Sequence, residues 1–389
     1  MARELAFVLI NPYTIAKSRT GGVIARYISR TDLDLVAARM FAPSADLVEA
    51  YAEQLRQSAG GPGAATTLLI AQYVRKWYLP DRASGRRRRV MLLLFEGEDA
   101  VGKIWEVTGS ATLKLGSGQT IRDTYGDFIE DEQGRVQYFE PAVLVAPSLE
   151  RAKSALRLWA DRSAQDGGMV ETAADVEQGQ AVEKTLVLLK PDNFRFRSSR
   201  PGNIIDLLSL SGLRIVAVNK FAMTVAQAEE FYGPVRETIQ AGFANVGMSR
   251  AAEALSREFG FQVPTDCIEA VCERLGPIYA QTQFENIVRF MTGYRPSECS
   301  PEEKTTRGSE SCLALVYEGV DAVRKIRNLI GPTDPSKASP GSVRREYGSD
   351  IMVNAAHASD SRENALREIA IVRVDEDTIR PWVRKCYGE

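Results

Sequence analysis

The chain has 389 residues, five cysteines and a formal net charge of −2, with 49 Lys and Arg against 51 Asp and Glu. That length buries an ample core and suggests two or three domains. The balanced charge gives no general signal for nucleic acid or a membrane surface, no segment approaches the roughly 20 apolar residues of a membrane helix, and cysteines without Cys-x-x-Cys spacing read as reduced thiols of a cytoplasmic protein.

The first elements alternate between strand and helix patterns. The apolar run Ala6-Phe7-Val8-Leu9-Ile10, stopped by Asn11-Pro12, reads as a strand rather than a signal peptide. An apolar-periodic segment follows over 22–29, then a strand over 33–41 and a helix over 44–57. Gly60-Gly61-Pro62-Gly63 punctuates, 67–78 reads as helix, and 90–95 as strand. Four arginines, Arg86 to Arg89, precede that strand. They could hold an acidic ligand, but four like charges at a loop end are read here as a solvated turn.

The same order then recurs. Residues 6–13 line up with 186–192, and Gly22-Val23-Ile24 with Gly202-Asn203-Ile204. Glu49-Ala50-Tyr51 lines up with Glu230-Phe231-Tyr232, residues 95–104 with 317–326, and Ile121-Arg122 with Val343-Arg344. A repeat of this kind implies a tandem duplication. The expected division is a first domain over 1–162, a polar, aromatic-poor linker over 163–183, and a second domain over 184–389. The second copy carries extra chain. Helical spacing over 249–260 and 265–276 predicts two added helices closed by Gly276-Pro277, an insertion of about 237–280. The stretch 293–311, with Pro296, Pro301 and Gly308, reads as an exposed loop.

The one histidine is His357. The apolar run Ile351-Met352-Val353 before it predicts a short strand, and 362–369 predicts an amphipathic helix. Ser359, Asp360 and Ser361 are candidate N-caps, and Asp360 with Glu363 has capping-box spacing. An imidazole just before a helix N-terminus sits where an anion is favoured. Neutral imidazole beside an anion suits nucleophilic attack on a phosphoryl group. Arg327 and Arg344 are the candidate phosphate clamps, because the guanidinium fork matches phosphate oxygens.

The stretch Asn354-x-x-His357-x-Ser359-Asp360-Ser361 resembles the active-site signature of nucleoside diphosphate kinases. Thr185 to Asp192 is similar to that family's first strand and lysine. Ile330-Gly331-Pro332-Thr333 with Pro340-Gly341-Ser342-Val343-Arg344 is similar to its phosphate loop, and Val316-Tyr317-Glu318-Gly319 to the strand end before Arg327. The resemblance runs from about residue 184 to 389. It implies an α+β fold of two tandem ferredoxin-like sandwiches with antiparallel sheets and helices on one face.

The resemblance also implies roles. His357 would be the nucleophile, Glu368 the acceptor fixing its tautomer, Ser359 the support of that glutamate and Tyr232 the tyrosine beside the histidine. Lys190 and Asn354 would bind ribose, Phe284 and Val288 would stack on the base, and Thr333, with Arg327 and Arg344, would meet the phosphates. Asp360 would reach Mg2+ through water. Tyr232 and Phe284 stand 52 residues apart, where the family has one short hairpin, and Ala358 and Met352 stand where it has glycine. In the first copy Asn11 stands for Lys190, Trp105 for Arg327, Ala111 for Thr333 and Leu144 for His357. Ala146, Pro147 and Ala155 stand for Ser359, Asp360 and Glu368, while Tyr51 and Arg122 persist.

The expected function is therefore γ-phosphoryl exchange between ATP or other nucleoside triphosphates and diphosphates, with Mg2+ and a phosphohistidine on His357, the first copy being catalytically dead. The alternative is a non-catalytic nucleotide-binding scaffold. A ferredoxin-like RNA-binding module is disfavoured, because charge is balanced and no aromatic-rich sheet motif is present. A homo-oligomer is expected, either three chains imitating a family hexamer or a dimer.

Overall fold

The computed structural model describes residues 3–112, 117–171 and 180–388. The chain divides into two compact units, Met1–Phe221 with Leu313–Glu389, and Ala222–Cys312. Much of the predicted linker, 172–179, lies outside the described residues. Its start continues the helix Leu149–Asp166.

The larger unit is built on one sheet. Its strands are β1 (Arg3–Ile10), β2 (Asp34–Phe41), β3 (Val90–Glu98), β6 (Val143–Leu144), β7 (Glu183–Leu189), β8 (Arg214–Phe221), β9 (Cys312–Gly319) and β10 (Ala356–Ala358). A separate hairpin joins β4 (Asp127–Glu130) to β5 (Val136–Glu140). The eight run in the order β10-β7-β9-β8-β2-β3-β1-β6. Outward from the β8–β2 junction, each side reads second, third, first and fourth strand of its half. The β8–β2, β2–β3, β1–β3, β1–β6, β7–β9 and β7–β10 pairings are antiparallel. This is an α+β fold with an antiparallel sheet, as expected. It differs in that both halves share one sheet. Pairing β2 with β8 removes an open edge from each half.

A second difference concerns the faces. Consecutive residues Val90 to Phe95 of β3 are all 0% exposed, and Leu186 to Leu189 of β7 likewise. Consecutive burial means both sheet faces are covered, whereas one covered face would leave alternation. The junction is held beside the sheet as well. Helices Thr20–Arg30 and Arg200–Ser209 cross so closely that a Cβ on Gly21 would lie 2.5 Å from the Gly202 carbonyl oxygen. A Cβ on Gly202 would lie 2.3 Å from that of Gly21. The chain's end also ties back to its start. Arg39 on β2 donates to the carbonyls of Asp375 and Glu376 at 2.9 and 2.7 Å. The Tyr387 hydroxyl, on the helix Ile379–Tyr387, meets the backbone N–H and carbonyl of Leu5 at 2.9 and 2.7 Å.

The smaller unit contains two long helices, Val225–Phe259 and Thr265–Thr292. The first starts at a Thr224–Gln227 capping box and ends on Gly260 at φ 73°. These elements replace the two short helices expected. Pro277 does not close a helix but lies within one, as Pro234 does in the other. The stretch 293–311 holds short 3-10 turns, Pro296–Glu298 and Glu303–Thr305. All five cysteines are free. No helix among the described residues is long and apolar enough to cross a membrane.

Candidate active site

His357 is placed by a strand, not by a helix start. It is the middle residue of β10, opposite Leu188 of β7, at the outer edge of the sheet. The predicted strand over Ile351-Met352-Val353 is absent: those residues bend, and Ile351 is 64% exposed. Their backbone instead turns around Asp350, whose Oδ1 accepts from the N–H of Met352 and Val353, both at 2.7 Å. The helix after the histidine is Arg362–Val372, and Ser361 alone caps it, accepting from the Asn364 N–H at 3.0 Å. Asp360 accepts from the Asn364 side chain at 2.7 Å, so the Asp360–Glu363 capping box does not form.

That helix returns Glu368 to the strand. Glu368 is buried, and its Oε2 lies 2.9 Å from His357 Nε2 and accepts from the Ser359 hydroxyl at 2.6 Å. A carboxylate at Nε2 holds the proton there and puts the ring's lone pair on Nδ1. The three residues predicted to act together are thus in contact. Replacing Glu368 with Gln is expected to leave a partner for Ser359. The amide can turn its NH2 to the ring and select the wrong tautomer, lowering the rate of nucleophilic attack by the ring between about 10²- and 10⁴-fold. Equal turnover by the variant would remove the tautomer role.

A second group lies on the adjoining loops. Lys190, buried at the end of β7, donates from Nζ to Asn354 Oδ1 at 2.8 Å and to the Met352 carbonyl at 2.7 Å. Asn354 Nδ2 donates to the carbonyls of Thr333 and Ile351 at 3.0 and 2.9 Å. Lysine, asparagine and the threonine loop are therefore one linked set. Arg327 is exposed on the last turn of the helix Ala322–Ile330, and Thr333 and Asp360 are also exposed.

Arg344 stands differently from a plain phosphate clamp. It donates to the Gly331 carbonyl at 2.9 Å and to the Ala356 carbonyl from two nitrogens at 3.0 and 3.3 Å. It ties the loop after the helix Ala322–Ile330 to the start of β10. Its counterpart Arg122 does the same with the carbonyls of Gly109, Pro141 and Val143. An arginine with the same bonds where histidine is absent acts as a strut.

The expected base pocket is corrected. Phe284 and Val288 are 0% exposed, and the Arg236 guanidinium lies 4.3 Å from the Phe284 ring centre. They belong to the packed interior of the smaller unit and offer a base no open face. Tyr232, on the helix Val225–Phe259, is also buried.

Sequence reasoning missed several supports. Asn193 donates to the carbonyls of Lys190 and Ala355 at 2.9 and 2.7 Å. Arg200 pairs with the buried Asp192 at 2.6 Å. Ala355 holds a left-handed φ of 69°, as Ala142 does at 59° in the first half. Asn193 could have been suspected as a polar residue next to a Lys-Pro-Asp turn; the alanine conformation leaves no sequence signal.

The corresponding region of the first half is a cleft of about 580 Å³. Leu144, Ala146, Pro147 and Ala155 line it, with Trp105 42% exposed at its wall. The first half also holds a buried network. Asn11 and the Ala142 N–H donate to Glu140 Oε1 at 3.1 and 3.0 Å, Tyr73 donates to Oε2 at 2.6 Å, and Tyr78 donates to Asn11 at 2.7 Å. Burial raises the Glu140 carboxyl above its usual range, opposed by those hydrogen bonds. A carboxyl raised on folding contributes stability at low pH that is lost as pH rises through its folded value. Glu140→Gln should therefore melt increasingly higher relative to wild type as pH rises above about 4.5. Parallel melting curves across that range would show that Glu140 is not so placed.

An imidazole held by a buried carboxylate, with Lys190 at the end of the neighbouring strand, is suited to nucleophilic chemistry on a phosphorylated substrate. The comparisons with known proteins point to one family. The family model described as nucleoside diphosphate kinase matches residues 295–377. The nucleoside diphosphate kinase of Campylobacter hominis is 30% identical over 189 residues, covering 49% of this chain and 93% of that protein. That of Staphylothermus marinus is 28% identical over 197 residues, covering 51% and 96%. A crystal structure of the Aquifex aeolicus nucleoside diphosphate kinase is 29% identical over 49% of this chain and 95% of that one, with a TM-score of 0.31. The chain belongs to the nucleoside diphosphate kinase family.

Proposed function

We propose that the chain is a tandem duplication whose second copy is a nucleoside diphosphate kinase and whose first copy is catalytically dead. The observation that carries the reading is the contact of His357 Nε2 with Glu368, shared with Ser359, inside the matched stretch. The His357 Nδ1 lone pair attacks the γ-phosphorus of a nucleoside triphosphate. A P–N bond forms, the P–O bond to the diphosphate breaks, and its electron pair stays with the departing diphosphate. A second nucleoside diphosphate takes the phosphoryl group back by the same path. Arg327 and Thr333 meet the phosphates, and Lys190 with Asn354 meets the sugar.

Magnesium enters as part of the substrate. Among the described residues no group of three or more His, Cys, Asp or Glu could cage a metal. The exposed Asp360 carboxylate fits a water-mediated contact to a cation carried in on phosphates. Magnesium neutralises phosphate charge.

The first copy lacks the means for this chemistry. Leu144 pairs with Leu9 as His357 pairs with Leu188, and leucine has no lone pair. Phe284 and Val288 receive no base-binding role, given their burial. That burial favours the second reading, a scaffold with a vestigial site. Mixing ATP and GDP with the protein separates the two. GTP formation with parallel double-reciprocal lines supports the kinase. Absence of GTP supports the scaffold. For assembly we propose a homo-oligomer, and a light-scattering mass of one chain would reject it.

A further inference from the structure

Of the arginines at 86–89, expected to form a solvated turn, Arg87 is exposed and the other three are half-buried. With Arg214, they line a cavity of about 650 Å³ within the larger unit, beside the junction of the two halves. Arg89 precedes β3 yet donates to the Ile215 carbonyl on β8 at 2.6 Å, so the wall is stitched across the junction. Asp81 is the one carboxylate of the lining, and it pairs with Arg88 at 2.7 Å. Arg87 is directed away, to Asp166 at 3.0 Å and to the Ala42 carbonyl. Arg87 aside, the lining carries four guanidinium groups, those of Arg86, Arg88, Arg89 and Arg214, against one carboxylate.

Two further observations point to a ligand. Tyr317 and Thr20 line the cavity, are 1% and 2% exposed, and have hydroxyls with no hydrogen-bond partner among the described residues. Arg88 Nε is likewise buried without one. Buried donors left unmatched are costly, and their gathering at one cavity calls for an acceptor. Arg89 is drawn down to about 10, by burial first and then by the Arg214 charge, with Glu318 opposing. The cations press on one another, and a bound anion would relieve that.

We propose that this cavity is a binding site for a small polyanion bearing two or more phosphate-type groups, separate from the His357 site. Guanidinium forks match phosphate oxygens in pairs, and Tyr317 and Thr20 keep unmatched hydroxyls buried in the wall. The volume exceeds what one phosphate fills. Bound there, the anion contacts β8, β9 and the segment before β3, and so links the two halves.

The test is calorimetric titration of the full chain with inorganic pyrophosphate at low salt, with orthophosphate and adenosine as the single-anion and uncharged controls. Pyrophosphate should bind more tightly than orthophosphate, and adenosine should leave this site empty. Arg88→Gln should weaken pyrophosphate at least about tenfold. Tyr317→Phe keeps the ring and removes the orphan hydroxyl. It should raise the melting temperature of the free protein while weakening pyrophosphate severalfold. Arg327→Ala, at the other site, should leave this affinity unchanged. The proposal is overturned by no heat at about 10 mM pyrophosphate, by unaltered affinity in both Arg88→Gln and Tyr317→Phe, or by loss of binding in Arg327→Ala. ATP titrated into the Arg327→Ala variant distinguishes a nucleotide from a free polyphosphate as occupant. ATP as tight as tripolyphosphate admits nucleotides, and exclusion of ATP restricts the site to free polyphosphate.

Discussion

His357→Gln is expected to abolish labelling of the protein by γ-³²P-ATP and to lower ATP-to-GDP transfer by on the order of 10⁴-fold or more, the scale seen when a nucleophile is deleted. Glutamine is the informative replacement. Alanine would leave the buried Glu368 carboxylate with Ser359 but without the ring, one hydrogen bond to a charged group short, which costs about 1.5–3 kcal/mol. The Gln amide can donate to Glu368 in place of Nε2, so the melting temperature should stay within a few degrees of wild type, about what 1 kcal/mol produces. Loss of activity then reports on the nucleophile, not on the fold. The adduct in the wild type should be labile in acid and stable in base, as a phosphoramidate is. Labelling that survives the substitution, or a wild-type adduct stable in acid, would exclude a phosphohistidine at this position.

The contact of His357 with Glu368 and of Glu368 with Ser359 was legible because short contiguous motifs carry it. His357, Ser359 and Glu368 fall within twelve residues, and a strand followed by a helix brings Glu368 onto the ring. The strand was misplaced for a physical reason. Ile351-Met352-Val353 has strand composition, but Asp350 draws the N–H groups of the last two into a turn. Hydrophobicity outweighed a local side-chain competitor that sequence patterning does not weigh. The strand is instead Ala356-His357-Ala358, which has little strand propensity and pairs because β7 presents its outer edge there.

What was not legible is long-range. Helical periodicity places Phe284 and Val288 on one face, but not what that face meets, so core packing and base stacking read alike. The arginine run reads as solvent-facing until Arg89 is seen to cross to Ile215, far away in sequence. Repeats showed in the sequence as paired motifs, whereas the sharing of one sheet depends on β2 and β8, whose edges carry no such motif. The struts Arg122 and Arg344 were found as an aligned pair, and their similar bonds to backbone carbonyls explain why the first half has an arginine there without a histidine beside it.

The second half expressed alone, as residues 180–389, should fail to fold as a stable monomer. Removing residues 1–179 strips β2 from β8 and exposes its ladder edge, a template for pairing with another chain. It uncovers Gly202, which is glycine because Gly21 lies against it, on the helix Arg200–Ser209. It also releases the segment around Asp375 and Glu376 from Arg39, and Tyr387 from Leu5. Against a whole-domain stability of about 5–15 kcal/mol, losing an edge pairing, a helix crossing and these ties together exceeds what the fragment can spare. The expected result is aggregation, or a dimer in which two fragments pair through β8 and imitate the missing half. The dimer would form because the β8–β2 junction is antiparallel, so a second copy of β8 can present the same edge in the same direction. Size-exclusion chromatography and thermal melting decide it. A monomeric fragment melting within about 5 °C of the full chain would show that the first half contributes no stability to the second. The second half would then be a domain in its own right, and the shared sheet an accident of linkage.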